Sequence, residues 1–307
     1  MVPVMAKFHY GGMHEGLAEL FDRQGGVATT AQILELVSRR YIEQLLDCAA
    51  VERIWRGVYG RGIIDEELRL RGLDISCGEQ VVMCLGTAAR AYGFGTEGQS
   101  SLHVLNPMGH QLRPAHGLVI HRREGAPLSR VLGRPATAPA WTAIEVARSL
   151  RRPRALATLD AALRSGTCNR VDLFRAATAQ AGRRGIVKAR ALLALADGLA
   201  ESPMESEARL VMIDGGLPVP VLQYKIIDSA GRPRRFDFAW PHFKVAAEFD
   251  GEESHSGAEA MRRDRRRLAA LQDLGWVVIP IVAGDVRSRP GQLVARIDAQ
   301  LRRAQAA

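Results

Sequence analysis

Two stretches near the C-terminus, RRFDFAW (residues 234–240) and FKVAAEFDG (residues 243–251), set carboxylates inside runs that otherwise read as buried β-strand. Successive strand side chains point to opposite faces, so Glu248 and Asp250 share a side, and a neighbouring strand about 4.8 Å away lets Asp237 converge with both. Carboxylates crowded together in low dielectric repel one another unless a cation neutralises them. The flanking pattern limits the folds that can hold such a group. ESPMESEARLVMIDGGLP reads as a helix with Met204, Ala208, Val211 and Met212 inward, ended by Gly215-Gly216, and VLQYKIID as a strand turned by SAGRP into RRFDFAW. GAEAMRRDRRRLAALQDLG is a second helix, WVVIPIV a strand and PGQLVARIDAQLRRA a final helix. Helix, three-strand meander, helix, strand, helix is an α/β sandwich with a mixed sheet.

The chemistry of that acid group points to a hard divalent ion, Mg²⁺ (or Mn²⁺), which takes oxygen ligands and shares its shell with phosphate oxygens. His255 lies just beyond DGEES and titrates near neutrality, which suits proton transfer with an attacking water. Glu205 or Glu207 on the preceding helix adds a carboxylate or fixes a metal-bound water. Arg262, Arg263, Arg265, Arg266 and Arg267 spread over more than one helical face, as on a helix beside a polyanion. The alternative is plain ion pairing of these acids with Arg234, Arg235 or Arg262.

RRFDFAWPHFKVAAEFDGEESH, together with RRDRRRLAALQDLGWVVIPI, resembles the very-short-patch-repair endonuclease-like branch of the PD-(D/E)xK nucleases over about residues 203–303. The resemblance implies a restriction-endonuclease-like α/β/α sandwich. It assigns Asp237, Glu248 and Asp250 to metal binding, His255 to proton transfer and Glu205 to the helix carboxylate. Position 250 is Asp where many members of the superfamily carry Lys, so the resemblance supplies no lysine to activate the water.

At the other end, HEGLAELFDRQ (residues 14–24) places Leu17, Leu20 and Phe21 on one helical face before Gly25-Gly26. Thr29 or Thr30 caps a second helix, and Ser38 caps a third with Ile42, Leu45 and Leu46 inward. The hairpin VERIWRGVYG comes next, making a helix-turn-helix with a wing. Arg39, Arg40 and Tyr41, in the first turn of the third helix, are then the candidates for a DNA groove, and Arg53 and Arg56 on the wing for phosphates. A protein-binding or purely supporting winged helix is the plainer reading. The Gly-Gly, the Thr-Thr-Ala-Gln, the Ser-Arg-Arg and the RGVY of GGVATTAQILELVSRRYIEQLLDCAAVERIWRGVYG resemble the N-terminal domain of the AbiEi family, antitoxins of type IV toxin–antitoxin systems. That resemblance implies sequence-specific DNA binding, transcriptional autoregulation and a cognate toxin.

Between the two ends, a helical run over residues 65–92 precedes two short strands, SLHVLNP and GLVIHRRE, and then helices from ATAPAWTAIEVARSL to IVKARALLALADGL. This order resembles the second part of the AbiEi-like regulators, extending the likeness to residues 11–200. His103, His116 and His121 lie on or near the strands with no carboxylate or cysteine at ligand spacing, and read as structural. The net charge of +9 belongs to this middle stretch: residues 1–60 carry −1, residues 61–200 +9 and residues 201–307 +1. Its clusters Arg122-Arg123, Arg151-Arg152, Arg154 and Arg183-Arg184 form either a solvated face or a track for phosphates.

Four scattered cysteines with no CxxC pair argue against a disulfide framework or zinc ribbon and fit a reduced, cytoplasmic setting better, and no apolar run is long enough for a transmembrane helix. The expected organisation is therefore α/β multidomain: a winged helix-turn-helix at 1–62, a basic mixed α/β and helical connecting module at 63–200 and a nuclease-like sandwich at 201–307. The leading functional expectation is a metal-dependent endonuclease hydrolysing DNA phosphodiester bonds. The alternative is a non-enzymatic AbiEi-like repressor or antitoxin whose nuclease-type fold is only a platform. An RNA substrate suits the same chemistry.

Overall fold

The computed structural model describes residues 13–98, 101–122, 125–250 and 258–306, the side chains of residues 258–261, 263 and 264 excepted. The chain forms two compact units, Met1–Thr87 with Gln99–Thr137, and Ala88–Gly98 with Ala138–Ala307. It therefore passes from one unit to the other three times. The connecting module expected at 63–200 is shared between them, its strands in the first unit and most of its helices in the second.

The first unit opens with α1 (Glu15–Arg23), β1 (Val27–Thr29), α2 (Thr30–Leu34) and α3 (Arg39–Asp47), then the ribbon β2 (Glu52–Trp55) and β3 (Val58–Gly60). Both expected caps form. Thr29 closes a capping box with Gln32, and the Ser38 hydroxyl accepts from the Tyr41 amide. Leu17, Phe21, Ile33, Ile42 and Leu45 make one buried core, so the apolar stripe of each helix faces the others. The strands order as β1–β3–β2, and the ribbon turns at Gly57, whose φ of 76° a side chain would strain.

The helix expected over 65–92 divides into α4 (Glu66–Cys77) and α5 (Leu85–Ala91), the latter crossing the unit boundary. Gly78, at φ 72°, ends α4 in the left-handed conformation, and Met83 then bridges Val104 and Ala136. β4 (Leu102–Leu105) and β5 (Leu118–His121) pair in parallel, and β6 (Leu128–Val131) and β7 (Arg134–Thr137) form a hairpin absent from the expectation. Its turn, Leu132-Gly133, has positive φ at both residues, where Asn-Gly is the usual signal. A leucine there hides the hairpin from sequence reasoning.

The second unit holds α6 (Pro139–Ser149), α7 (Arg152–Arg164), α8 (Arg170–Ala179) and α9 (Ile186–Leu193), followed by α10 (Pro203–Asp214), β8 (Val221–Ile227), β9 (Pro233–Trp240) and β10 (Val245–Phe249). α11 (Ala258–Gln272), β11 (Val277–Ile281), α12 (Ala283–Arg287) and α13 (Pro290–Ala306) complete it. The sheet runs β11–β10–β9–β8, with only β10 and β11 parallel. Phe238, Trp240, Val245, Ala247 and Ile279 pack on Ala208 and Met212 of α10, Val286 of α12 and Leu293 and Ile297 of α13. On the opposite face Phe236, Ala246 and Trp276 pack on Leu271 of α11. Helices thus cover both faces, and the mixed α/β expectation holds for this part of the chain.

Ion pairs with at least one buried partner fasten α7 and α12 to α10, the helix that packs on the sheet. Asp160 of α7, fully buried, meets Arg209 of α10 at 2.6 Å and accepts the Asp197 amide at 2.7 Å. Glu207 of α10 meets Arg154 of α7 and Arg287 of α12, each at 3.0 Å.

Candidate functional site

Ser202 caps α10 by accepting the Glu205 amide, with Pro203 in the first turn, and this orients Glu205 toward the sheet. Glu205 Oε2 accepts the Glu201 amide at 2.9 Å and the Gln223 side-chain amide at 3.0 Å. On β9, Asp237 Oδ2 accepts the Phe249 amide at 2.9 Å. On β10, Glu248 is paired with Arg267 of α11.

Burial pushes the carboxyls of Glu205, Asp237 and Glu248 above the usual range. Asp237 raises Glu205 further, and Asp237 and Asp250 raise Glu248, while Arg267 pulls Glu248 back down. Asp237 therefore lies within electrostatic reach of both Glu205 and Glu248.

Glu207 is taken by Arg154 and Arg287, which hold its carboxyl low against its burial, so only Glu205 of the two helix acids faces the sheet group. Asp250 is exposed at the strand end, where its amide donates to the Ile281 carbonyl at 2.8 Å. His255 lies outside the described residues. Among the described residues no three His, Cys, Asp or Glu side chains gather as a metal-holding group. The donors have the right character for Mg²⁺, being hard oxygens on a buried acid, Glu205, and two half-buried ones, Asp237 and Glu248, but the neutralising charge at Glu248 comes from Arg267. The ion-pair alternative thus applies to Glu248, with a partner other than the expected ones: Arg234 pairs with Asp228 and Arg235 with Glu201.

Gln223 is the residue that sequence reasoning missed. It sits opposite Asp237 between the rungs Leu222↔Phe238 and Tyr224↔Phe236, and its φ of 50° is left-handed. Leu222 and Phe238 belong to one core, while Tyr224 and Phe236, two residues away along each strand, belong to the other. Strand alternation would keep each pair on one face, so the sheet slips faces at Gln223 and Asp237. The slip leaves Gln223 Oε1 buried with no hydrogen-bond partner among the described residues. The available signal was an amide inside the strand VLQYKII.

A carboxyl whose folded range is raised favours folding fully below its unfolded range, near pH 4, and loses that contribution as pH rises through the folded range. Asp237→Asn, which still accepts from Phe249, should therefore hold or raise the thermal midpoint at pH 7 and flatten its decline from pH 5. A drop of several degrees at pH 7 would count against this account.

In the first unit, Arg39 and Arg40 are exposed on the first turn of α3 and Arg56 at the ribbon turn, none in an ion pair among the described residues. Arg53 is exposed over the Tyr59 ring, 5.7 Å from its centroid. Tyr41 departs from expectation: it is half-buried against the core, and its hydroxyl accepts the His14 amide at 2.9 Å, so it braces α1 instead of standing free at a groove. On α11, Arg262 and Arg266 are exposed on one face, and the side chain of Arg263 lies outside the described residues.

Of the proposed phosphate track, Arg152 pairs with Asp214, Arg154 with Glu97 and Glu207, and Arg183 lies 3.6 Å from buried Glu145 and over Trp141. Arg122, Arg151 and Arg184 are exposed, and Arg123 is outside the described residues. His103 Nδ1 and His121 Nε2 are 2.9 Å apart on adjacent strands, and His116 is exposed. The cysteines are all free, and burial pushes the Cys168 thiol up to about 11, which suits packing and not nucleophilic chemistry.

Two mycobacterial proteins match nearly the whole chain. The uncharacterized proteins MT2308 and Rv2248 of Mycobacterium tuberculosis (strains CDC 1551 and H37Rv) are each 54% identical over 271 residues, covering 88% of this chain and 100% of the relative. The chain belongs to their family. Residues 81–195 of this family member match the AbiEi antitoxin C-terminal domain. The AbiEi-like character read from the sequence therefore holds over that span, which runs from α5 through α9. No helix among its described residues is long and apolar enough to cross a membrane.

Proposed function

We propose that the protein is a DNA-binding regulator of the AbiEi antitoxin type, acting in the cytoplasm with a cognate toxin protein. In this reading α1–α3 and the β2–β3 ribbon are a winged helix, α3 enters the DNA groove, and Arg53 and Arg56 reach phosphates. The observation that carries it is the pair of exposed arginines without ion-pair partners among the described residues at the start of α3, in a chain bearing an AbiEi antitoxin C-terminal domain. A helix N-terminus attracts phosphate, and first-turn arginines there add base and backbone contacts.

Fluorescence anisotropy on a duplex taken from upstream of the gene tests it. Arg39→Ala with Arg40→Ala should weaken binding at least tenfold, each lost contact being worth about 1–3 kcal/mol. Undiminished binding by the folded double variant would rule out α3 as the reader.

A second reading, a metal-dependent endonuclease, is favoured by one observation: the raised carboxyls of Glu205, Asp237 and Glu248 beside Gln223 Oε1, which has no partner among the described residues. In that reading Glu205, Asp237 and Glu248, which do not gather as a metal-holding group among the described residues, would have to draw together to hold the ion, which when bound supplies charge neutralisation at the phosphodiester. Arg267 would have to release Glu248 first. Under the regulator reading, supercoiled plasmid stays intact with Mg²⁺ or Mn²⁺. Nicking that Asp237→Ala abolishes would establish the nuclease instead.

A further inference from the structure

β8 and β9 pair along their whole length, from Val221↔Ala239 to Ile227↔Pro233, but β10 reaches only Phe238, Ala239 and Trp240 of β9. The rungs Lys225↔Arg235, Ile226↔Arg234 and Ile227↔Pro233 therefore extend beyond the third strand as a two-stranded ribbon at the sheet edge. Its turn is held firmly. Asp228 Oδ1 accepts the amides of Ala230 and Arg232, each at 2.9 Å, and Oδ2 accepts from Arg234 Nε at 2.7 Å.

The charges on this ribbon are arranged against its own stability. Lys225 and Arg235 stand directly opposite, a like-charge pair that weakens a sheet. Glu201 neutralises Arg235 with two bonds of 2.7 Å, and no acid does the same for Lys225 among the described residues. Lys225 and, at the turn, Arg232 are exposed and form no ion pair among those residues. Lys225 is also one of only four lysines in the chain. Lys225 also lines, with the neutralised Arg234 and Arg235, an open cleft of about 570 Å³ floored by Ile226, Ile227 and Pro233, with Ile227 61% exposed. A rigid cationic ribbon with an apolar footing matches a phosphate–sugar backbone, charge against phosphate and apolar surface against the sugar.

We infer that the tip of the β8–β9 ribbon is a second DNA contact, a sequence-independent seat for the phosphate backbone of duplex DNA in which Lys225 and Arg232 are the phosphate ligands. The inference rests on the DNA-binding reading above, and it adds a contact in the second unit that the α3 reader does not provide. Each cation that neutralises a phosphate releases counterions, so log K falls with log salt by close to one per contact.

The test is anisotropy of the full chain on an unrelated-sequence duplex and on the upstream duplex, each over a salt series. Lys225→Gln with Arg232→Gln should weaken binding to both duplexes by a similar factor, on the order of tenfold at low salt, and reduce the salt slope by about two. The preference for the upstream duplex should stay as it was, and Lys225→Arg with native Arg232 should retain the native slope. Unchanged circular dichroism and thermal midpoint in the double variant show that the loss is not unfolding. If the wild-type chain binds DNA and the double variant keeps its salt slope, the ribbon contact is overturned and the α3 reading is left intact. A larger loss on duplex RNA than on duplex DNA overturns the assignment to DNA. A wild-type chain with no affinity for any duplex removes both readings.

Discussion

Arg209→Ala should destabilise the second unit by about 3–5 kcal/mol, the range for removing one partner of a buried ion pair. Arg209 and Asp160 are almost wholly inaccessible, and the same guanidinium donates to the Leu195 carbonyl at 2.5 Å. Without it, Asp160 keeps the Asp197 amide and the Ser206 hydroxyl, neither of which carries a charge. Burial already raises the Asp160 carboxyl while Arg209 draws it down, so the variant raises it further. The variant's penalty is that of an ionised buried acid, greatest at neutral pH and relieved as pH falls through the raised range. Urea unfolding at pH 7 and pH 5 should show the deficit shrinking on acidification. Converting both residues to leucine should recover most of the stability at pH 7, because an apolar pair of similar volume carries no desolvation cost. A deficit independent of pH would mean that packing, not charge, holds this joint.

Gly185→Ala is expected to cost nearly as much, for steric reasons. Gly185 starts α9 at φ 82°, and a Cβ there would lie 2.2 Å from the Arg148 carbonyl oxygen of α6. The left-handed backbone alone costs about 1–3 kcal/mol in a residue with a side chain. Moving the Arg148 carbonyl adds a comparable cost, about 1–3 kcal/mol for overpacking. Gly166→Ala isolates the first contribution, since φ there is 68° and nothing lies within 4 Å of the added carbon. Equal losses in the two alanine variants would show that α6 yields freely at this point.

The parts of the fold legible in sequence were those set by neighbours along the chain. Thr29 and Ser38 cap their helices because a cap needs only its own first turn. Gly215 closes α10, and the stripes through Ile42 and Leu45 identify the inward faces. The acids of β9 and β10 were legible as misfits in apolar strands. Their partners were not: Arg267 lies 19 residues from Glu248, and Arg154 lies 53 from Glu207. An arginine-rich chain offers many equivalent candidates for each acid, and only tertiary packing selects among them. The face slip at Gln223 was invisible for a related reason, since a glutamine with positive φ carries no local signature of the kind glycine does. Tyr41 was misplaced because helical position alone does not say whether α1 lies across that turn.

The three passages of the chain between its units, near residues 87, 98 and 137, bear on how such a protein can change over generations. A single recombination point joins the N-terminal side of one parent to the C-terminal side of another, and no single point separates these units cleanly. Any one junction within residues 88–137 breaks a unit across two parents. Exchange of one intact unit needs three matched junctions, so variation in either half is left chiefly to point substitution, with the two halves inherited as one piece.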